Sequence, residues 1–281
     1  MLPLRFFRAS RRIVPAARSL SSDVPSLDLS VDSEGIATLT MQRLPVNSLN
    51  LEVLQEFDKA LDEVEKIKAK GLIITSASST VFSAGLDIRE MYKPETERMA
   101  TFASTLQNLW LKLYGSPYPT AAAITGHAPA GGCLIAMSCE YRAMVNGNFR
   151  IGLNETALGI VASSFFIDSM RSVISWRETE LALTTGRMFF VDEALKVGLI
   201  DETATDKADA IEKCRNFIKR FDKIPLLARG LTKQRKRIYE MENLQNNSAA
   251  ERNESIHFIT QPEVQHSVGA YLEKLKQKAA K

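Results

Sequence analysis

A chain of 281 residues, 45% hydrophobic and 25% charged with a formal net charge of +3, has ordinary globular composition and room for one large domain with an appendage. No apolar run reaches the ~20 residues that cross a bilayer, so no membrane span is expected. Cys133, Cys139 and Cys214 lack CxxC or Cys/His ligand spacing, which speaks against a zinc site and a disulfide framework; the expectation is reduced thiols and no metal.

Arg5, Arg8, Arg11, Arg12 and Arg18 stand among Phe6, Phe7, Ile13, Val14 and serines, with no acidic residue before Asp23. That is the composition of a mitochondrial presequence, so residues 1–22 are read as a transit peptide and the mitochondrial matrix as the destination. The interleaving of arginine with apolar residues at amphipathic spacing favours this over a nucleic-acid-binding arm. Without those five arginines, 36 basic residues become 31 against 33 acidic, a net charge of −2. The tail Lys278–Lys281 carries no SKL-like peroxisomal address.

Alternation over Leu27, Leu29 and Val31, and again over Ala37, Leu39 and Met41, predicts a β-hairpin around Ser33–Gly35. After a turn at Pro45–Asn47, Leu51, Leu54, Phe57, Leu61, Val64 and Ile67 recur at helical spacing. Leu72–Thr75 reads as a buried strand. The run VFSAGLDIRE, Val81–Glu90, then falls at that strand's carboxyl end, where parallel sheets carry ligand loops. Asp87 there is either a local cap or a catalytic acid. Met99, Phe102, Leu106, Leu109 and Leu113 form the stripe of a long helix, and Thr120–Thr125 a further strand.

In HAPAGGCLIAMSCEYR, Gly131 and Gly132 precede Leu134, Ile135, Ala136 and Met137, so the glycines belong to the first turn of a buried helix. Backbone N–H groups there lack intrahelical partners and lie at the positive end of the helix dipole, so they can hold a negative oxygen. Glycines at this place also serve close packing, and both readings stand. Tyr141–Val145 is another strand, and the alternation of strands and helices argues for α/β layering. In FRIGLNETALGI, Asn154 and Glu155 lie between apolar patches; burial would raise the Glu155 pKa toward a general base's range, unless Glu155 merely pairs locally.

Ser175 and Glu178 stand at capping-box spacing and Gly186 ends that helix; Asp192–Gly198 is a short helix, and Leu199–Asp201 reads as an edge strand. From residue 208 the chain turns helical and charged, which sets the boundary between a core at 23–207 and a segment at 208–281. Lys233, Arg235, Lys236 and Arg237 form a solvated face or meet a phosphorylated ligand. Val264, Val268, Tyr271, Leu272 and Leu275 make a stripe that must bury against another subunit or fold back on its own. His127, His257 and His266 accompany no nucleophile motif, so hydrolase chemistry has no support.

SAGLDIREM, GHAPAGGCLIAMSCEYR and GLNETALGI, in that order, resemble the crotonase (enoyl-CoA hydratase/isomerase) superfamily over about residues 26–279, and LNETALGI and APAGGCL are similar to its mitochondrial Δ3,Δ2-enoyl-CoA isomerases. The resemblance implies an α/β fold, a core of ββα spiral turns with a C-terminal helical trimerisation segment. It implies enoyl-CoA thioesters as substrates, with coenzyme A part of the substrate and no separate cofactor. The N–H groups of Ala84 and Gly131 would form an oxyanion hole, Ala84, Gly85, Leu86, Asp87, Ile88, Gly131 and Asn154 would bind substrate, and Glu155 would be the catalytic base. Hydratases of the superfamily carry a second glutamate where this chain has Leu134, which favours isomerisation over hydration. Some relatives bind RNA, but the near-neutral mature charge and the lack of aromatics beside the basic cluster argue against nucleic acid.

Overall fold

The computed structural model describes Arg11–Arg12 and residues 25–279. The leader expected over 1–22 therefore lies outside the described residues, apart from the two-residue strand β1 (Arg11–Arg12). β1 pairs antiparallel with β2 (Leu27–Val31), and β2 with β3 (Ile36–Met41). Asp32 shapes the hairpin turn by accepting from the N–H groups of Glu34 at 2.8 Å and Ile36 at 3.0 Å.

Helix α1 (Leu51–Lys66), capped by Asn50 through the Val53 N–H, leads to β4 (Gly71–Ser76), parallel to β3. The same step repeats through α2 (Thr96–Gly115) to β5 (Thr120–Ile124), and through β6 (Ala128–Pro129) and α3 (Gly131–Ser138) to β7 (Tyr141–Val145). Next come β8 (Arg150–Gly152), α4 (Ser164–Arg171), α5 (Trp176–Thr185), β9 (Phe189–Phe190), α6 (Val191–Val197) and β10 (Glu202–Ala204). The chain ends in α7 (Lys207–Lys219), α8 (Leu226–Lys236), α9 (Ile238–Ile259) and α10 (Pro262–Ala279). The main sheet runs β1-β2-β3-β4-β5-β7-β10, and β6-β8-β9 form a small second sheet.

Period-two alternation sorts the strands onto two faces. Leu39, Met41, Leu72, Ile74, Ala122, Ile124 and Met144 meet α1–α4 in the larger core. Ile36, Ile73, Ala121, Ala123 and Ala143 face Ala210, Cys214 and Ile218 of α7 in the smaller one. The boundary expected at residue 208 thus falls at the start of a helix that covers the sheet, and α8–α10 lie beyond it.

Two expectations change. Leu199–Asp201 is not the edge strand: β10 begins at Glu202 and pairs parallel with β7. Leu199 and Ile200 instead donate both N–H groups to the Ala194 carbonyl, closing α6 through the left-handed Gly198, and their side chains enter the core.

The basic cluster is only half a solvated face. Lys233 is buried, with its ammonium 3.0 Å from the Glu140 carboxylate and 2.9 Å from Ser116 Oγ, and Arg229 closes on the other Glu140 oxygen. Arg237 donates to the carbonyls of Tyr114 at 2.7 Å and Ser138 at 3.0 Å. Lys233 and Arg237 are four apart on one helical face, so both turn inward while Arg235 and Lys236 stay exposed. Burial pulls the Lys233 pKa down to about 7, against the opposing pull of Glu140. In the tail stripe, Val264 and Val268 are buried within the same subunit, whereas Leu275 stays exposed.

Candidate functional site

Two loops far apart in sequence meet because strands on either side of them pair. Val81 bridges to His127, and the N–H groups of Phe82 and Ser83 both point at the His127 carbonyl, at 2.9 and 3.4 Å. β6 pairs parallel with β8, and Ala130 N–H donates to the Gly152 carbonyl at 2.8 Å, which brings the 129–132 turn beside Leu153–Glu155. Glycine lets the loops touch backbone to backbone. A Cβ on Gly132 would lie 2.6 Å from the Ser83 carbonyl oxygen, and one on Gly85 would lie 3.0 Å from the Gly131 nitrogen. Ala130, at φ 49 and ψ −119, takes a positive φ that a non-glycine residue holds only when its surroundings enforce it.

Gly131 opens α3, as its place before an apolar run suggested, and its N–H has no protein acceptor among the described residues. The Ala84 N–H differs from expectation. It donates to the Val46 carbonyl at 2.8 Å, because the 45–47 turn is knitted onto this loop: Asn47 Nδ2 donates to the Phe82 carbonyl at 3.1 Å and Ser83 Oγ to the Asn47 carbonyl at 2.7 Å. Gly85 takes φ +83, Leu86 faces a cavity, and Asp87 caps the short helical turn Ile88–Glu90 through the Arg89 N–H. Burial would push the Asp87 carboxyl up, but hydrogen bonds from Arg89 and Arg43 hold it below the usual range. Asp87 is thus a cap and an ion-pair partner. A carboxylate so tied down is a poor proton acceptor.

Glu155 is the opposite case. Only 9% exposed, it lines a cavity of about 680 Å³, and its Oε2 has no hydrogen-bond partner among the described residues. Burial raises its pKa to about 7. Its own carbonyl accepts from Leu158 at 2.9 Å and Ile160 at 3.0 Å, so a tight turn aims the side chain. Asn154 lies beside it, with Oδ1 buried and without a hydrogen-bond partner among the described residues. Met99, Phe102 and Leu106 of α2 form the apolar cavity wall, while Asn247, Glu251 and Ser255 of α9 supply a polar one.

The α9 wall is what sequence reasoning missed. That helix buries only Leu244 and Ile259, so it carries no apolar stripe to announce it. Leu134 is buried among Leu49, Leu106 and Trp110, with no acid in that shell. Cys133, buried next to it, has its thiol pKa raised first by burial and then by the Glu155 charge, which puts the start of α3 within electrostatic reach of Glu155. All three cysteines are free and buried. Among the described residues no group of three His, Cys, Asp or Glu gathers to hold a metal, and no helix is long and apolar enough to cross a membrane.

One carboxylate poised near neutrality, one helix N-terminus with a free N–H and an apolar cavity suit proton abstraction beside a carbonyl. Residues 32–280 match the family described as Enoyl-CoA hydratase/isomerase. The chain is 42% identical over 246 residues to mitochondrial enoyl-CoA delta isomerase 1 of Mus musculus, spanning 87% of this chain and 85% of that one. To the Homo sapiens protein of the same name it is 38% identical over 245 residues, 86% and 81% of the two chains. The crystal structure of human mitochondrial delta3-delta2-enoyl-CoA isomerase matches with a TM-score of 0.88 at 36% identity, over 90% of this chain and 99% of that one. With its crotonase fold, the chain belongs to the enoyl-CoA hydratase/isomerase family.

Proposed function

We propose that the protein is a mitochondrial Δ3,Δ2-enoyl-CoA isomerase acting in the matrix, moving the double bond of 3-cis- or 3-trans-enoyl-CoA to 2-trans during β-oxidation of unsaturated fatty acids. The observation that carries the mechanism is Glu155: buried, with an unpartnered oxygen on the cavity and a pKa of about 7. It takes the proton from carbon 2, leaving a dienolate, and returns a proton at carbon 4, so no bond to water forms. The reaction is redox-neutral and one carboxylate handles both transfers, so coenzyme A is needed only as part of the substrate.

The Gly131 N–H stabilises the enolate oxygen, and one donor of this kind is worth about 2.7–4 kcal/mol. The Ala84 N–H becomes the second donor when the thioester oxygen replaces the Val46 carbonyl. The 84–88 loop and Asn154 bind the rest of the substrate. Leu134 leaves no carboxylate at the start of α3 to activate water, which favours isomerisation over hydration.

A homotrimer completes the reading. Ile224, Leu227 and Leu231 recur at helical spacing along α8 and its approach, and with Tyr239 they expose an apolar face whose Leu227 is 76% accessible and Tyr239 81%. The deciding experiment gives purified protein 3-hexenoyl-CoA and follows the absorbance of the conjugated 2-enoyl thioester. Failure to form it, or a 3-hydroxyacyl product from 2-hexenoyl-CoA at a comparable rate, would reject the isomerase assignment.

A further inference from the structure

The 84–87 loop and the Glu155 turn are far apart in sequence, yet α10 packs against the short helical turns that follow each of them, Ile88–Glu90 and Thr156–Leu158. Near its start stands Gln265. The carboxamide oxygen accepts from the Lys93 N–H at 2.7 Å, while the NH₂ group donates to the carbonyls of Met91 at 2.8 Å and Ile259 at 2.7 Å. Both donors and the acceptor are therefore used. One side chain binds the 91–93 segment to the α9–α10 junction across more than 170 residues of sequence.

A second observation marks the same spot. Lys93 has φ 46, a left-handed conformation costly for lysine, and the N–H of that strained residue is the one Gln265 holds. Further along α10, Gly269 lies so close to Tyr92 that a Cβ would come within 3.0 Å of its ring. On the other half of the site, a Cβ on Gly159 would come within 3.0 Å of Ser267. Met91, whose carbonyl Gln265 grips, lines the cavity with Glu155.

We propose that Gln265 is a positioning residue: it fixes the 91–93 segment, which continues the chain from the 84–88 substrate-binding loop, to α10, the helix that also abuts the Glu155 turn, and so sets how that loop closes on the acyl-CoA. Gln265 touches no reacting atom and acts through the loop. The proposal rests on the isomerase reading for the identity of the ligand. Substrate binding feels the loss of Gln265, whereas proton transfer, governed by the burial of Glu155, does not.

Gln265→Leu removes all three hydrogen bonds at similar size; Gln265→Glu keeps only the acceptor for Lys93. Hexanoyl-CoA, a saturated thioester that cannot isomerise, is titrated calorimetrically into the full chain, and kinetics follow with 3-hexenoyl-CoA. The expected result for Gln265→Leu is a Kd and KM raised about tenfold, equivalent to about 1.4 kcal/mol. kcat should stay within about twofold, with an unchanged pH midpoint. Should Gln265→Leu fail to fold, Gln265→Glu is read the same way. Unchanged Kd with only a lowered melting temperature would reduce Gln265 to a helix-end contact and overturn the proposal. A fall in kcat with KM unchanged would overturn it too. The titration does not depend on which group is the base, so full turnover in Glu155→Gln would sink the base assignment while leaving this test intact.

Discussion

Replacing Glu155 by Gln keeps shape and hydrogen-bonding capacity but removes the ionisation, so one substitution tests catalysis and stability together. Turnover should fall about 10²-fold to 10⁴-fold, the usual worth of a general base. In the parent, activity should rise with pH through about 7, because the ionised carboxylate is the acceptor. The stability effect has the opposite sense. A carboxyl of ordinary pKa 4.5, raised to about 7 by burial, binds its proton more tightly folded than unfolded. Stability is therefore lost as pH rises from the unfolded value toward 7, and the deficit levels off above it. From those two values the ionisation penalty is under about 1 kcal/mol at pH 5 and about 3 kcal/mol at pH 8. Glutamine carries no such penalty. Denaturant unfolding of both proteins at equal protomer concentration should show Glu155→Gln gaining about 2–3 kcal/mol on the parent between pH 5 and pH 8. A difference that stays constant with pH would show that Glu155 is not a buried, ionising carboxyl, and the base assignment would lose its physical support.

Leu134→Glu should add slow hydration of a 2-enoyl-CoA, measured as 3-hydroxyacyl-CoA; the gain is small because a carboxyl in that apolar shell stays largely protonated. Gly132→Ala should lower both melting temperature and turnover, since its Cβ would meet the Ser83 carbonyl oxygen at 2.6 Å and push the two loops apart. Lys233→Met should destabilise the fold by about 1–3 kcal/mol in denaturant titration, as Ser116, Tyr118 and one oxygen of Glu140 lose a buried donor. Light scattering at micromolar concentration should return a trimer mass, and Leu227→Asp should shift it to monomer.

Much of the fold was legible because short-range periodicity and end signals agree. The hairpin at residues 27–41, α1, β4, β5 and β7 follow from alternation and helical spacing, and Gly186 and Gly198 end their helices in the left-handed conformation. At the site, the sequence pointed to Gly131 at a helix start and to a raised Glu155. What it could not carry were contacts between distant segments. The Val46 carbonyl on the Ala84 N–H depends on how two loops dock, and nothing in their composition fixes it. Lys233 and Arg237 looked solvated because their acceptors, Glu140, Tyr114 and Ser138, lie about a hundred residues away. Ala130 at φ 49 leaves no mark in sequence, since alanine ordinarily avoids that region.

The choice of reaction turns on whether a second acid couples to Glu155. Glu155 reaches a pKa of about 7 by burial, with no second acid among the causes of its shift, and Leu134 keeps the start of α3 apolar. Two carboxylates there would couple, and one would be held protonated by the other's charge. Such a pair suits a reaction that needs an acid and a base on one water molecule. Moving a double bond needs one group that is base first and acid next at carbons two bonds apart. A carboxylate near neutrality that is not coupled to a second acid does both, because it gives up at carbon 4 the same kind of proton it gained at carbon 2. On the proposed mechanism the free oxygen of Glu155 and the apolar wall of α2 would serve this end together: the first would accept the proton, and the second would keep the dienolate away from water.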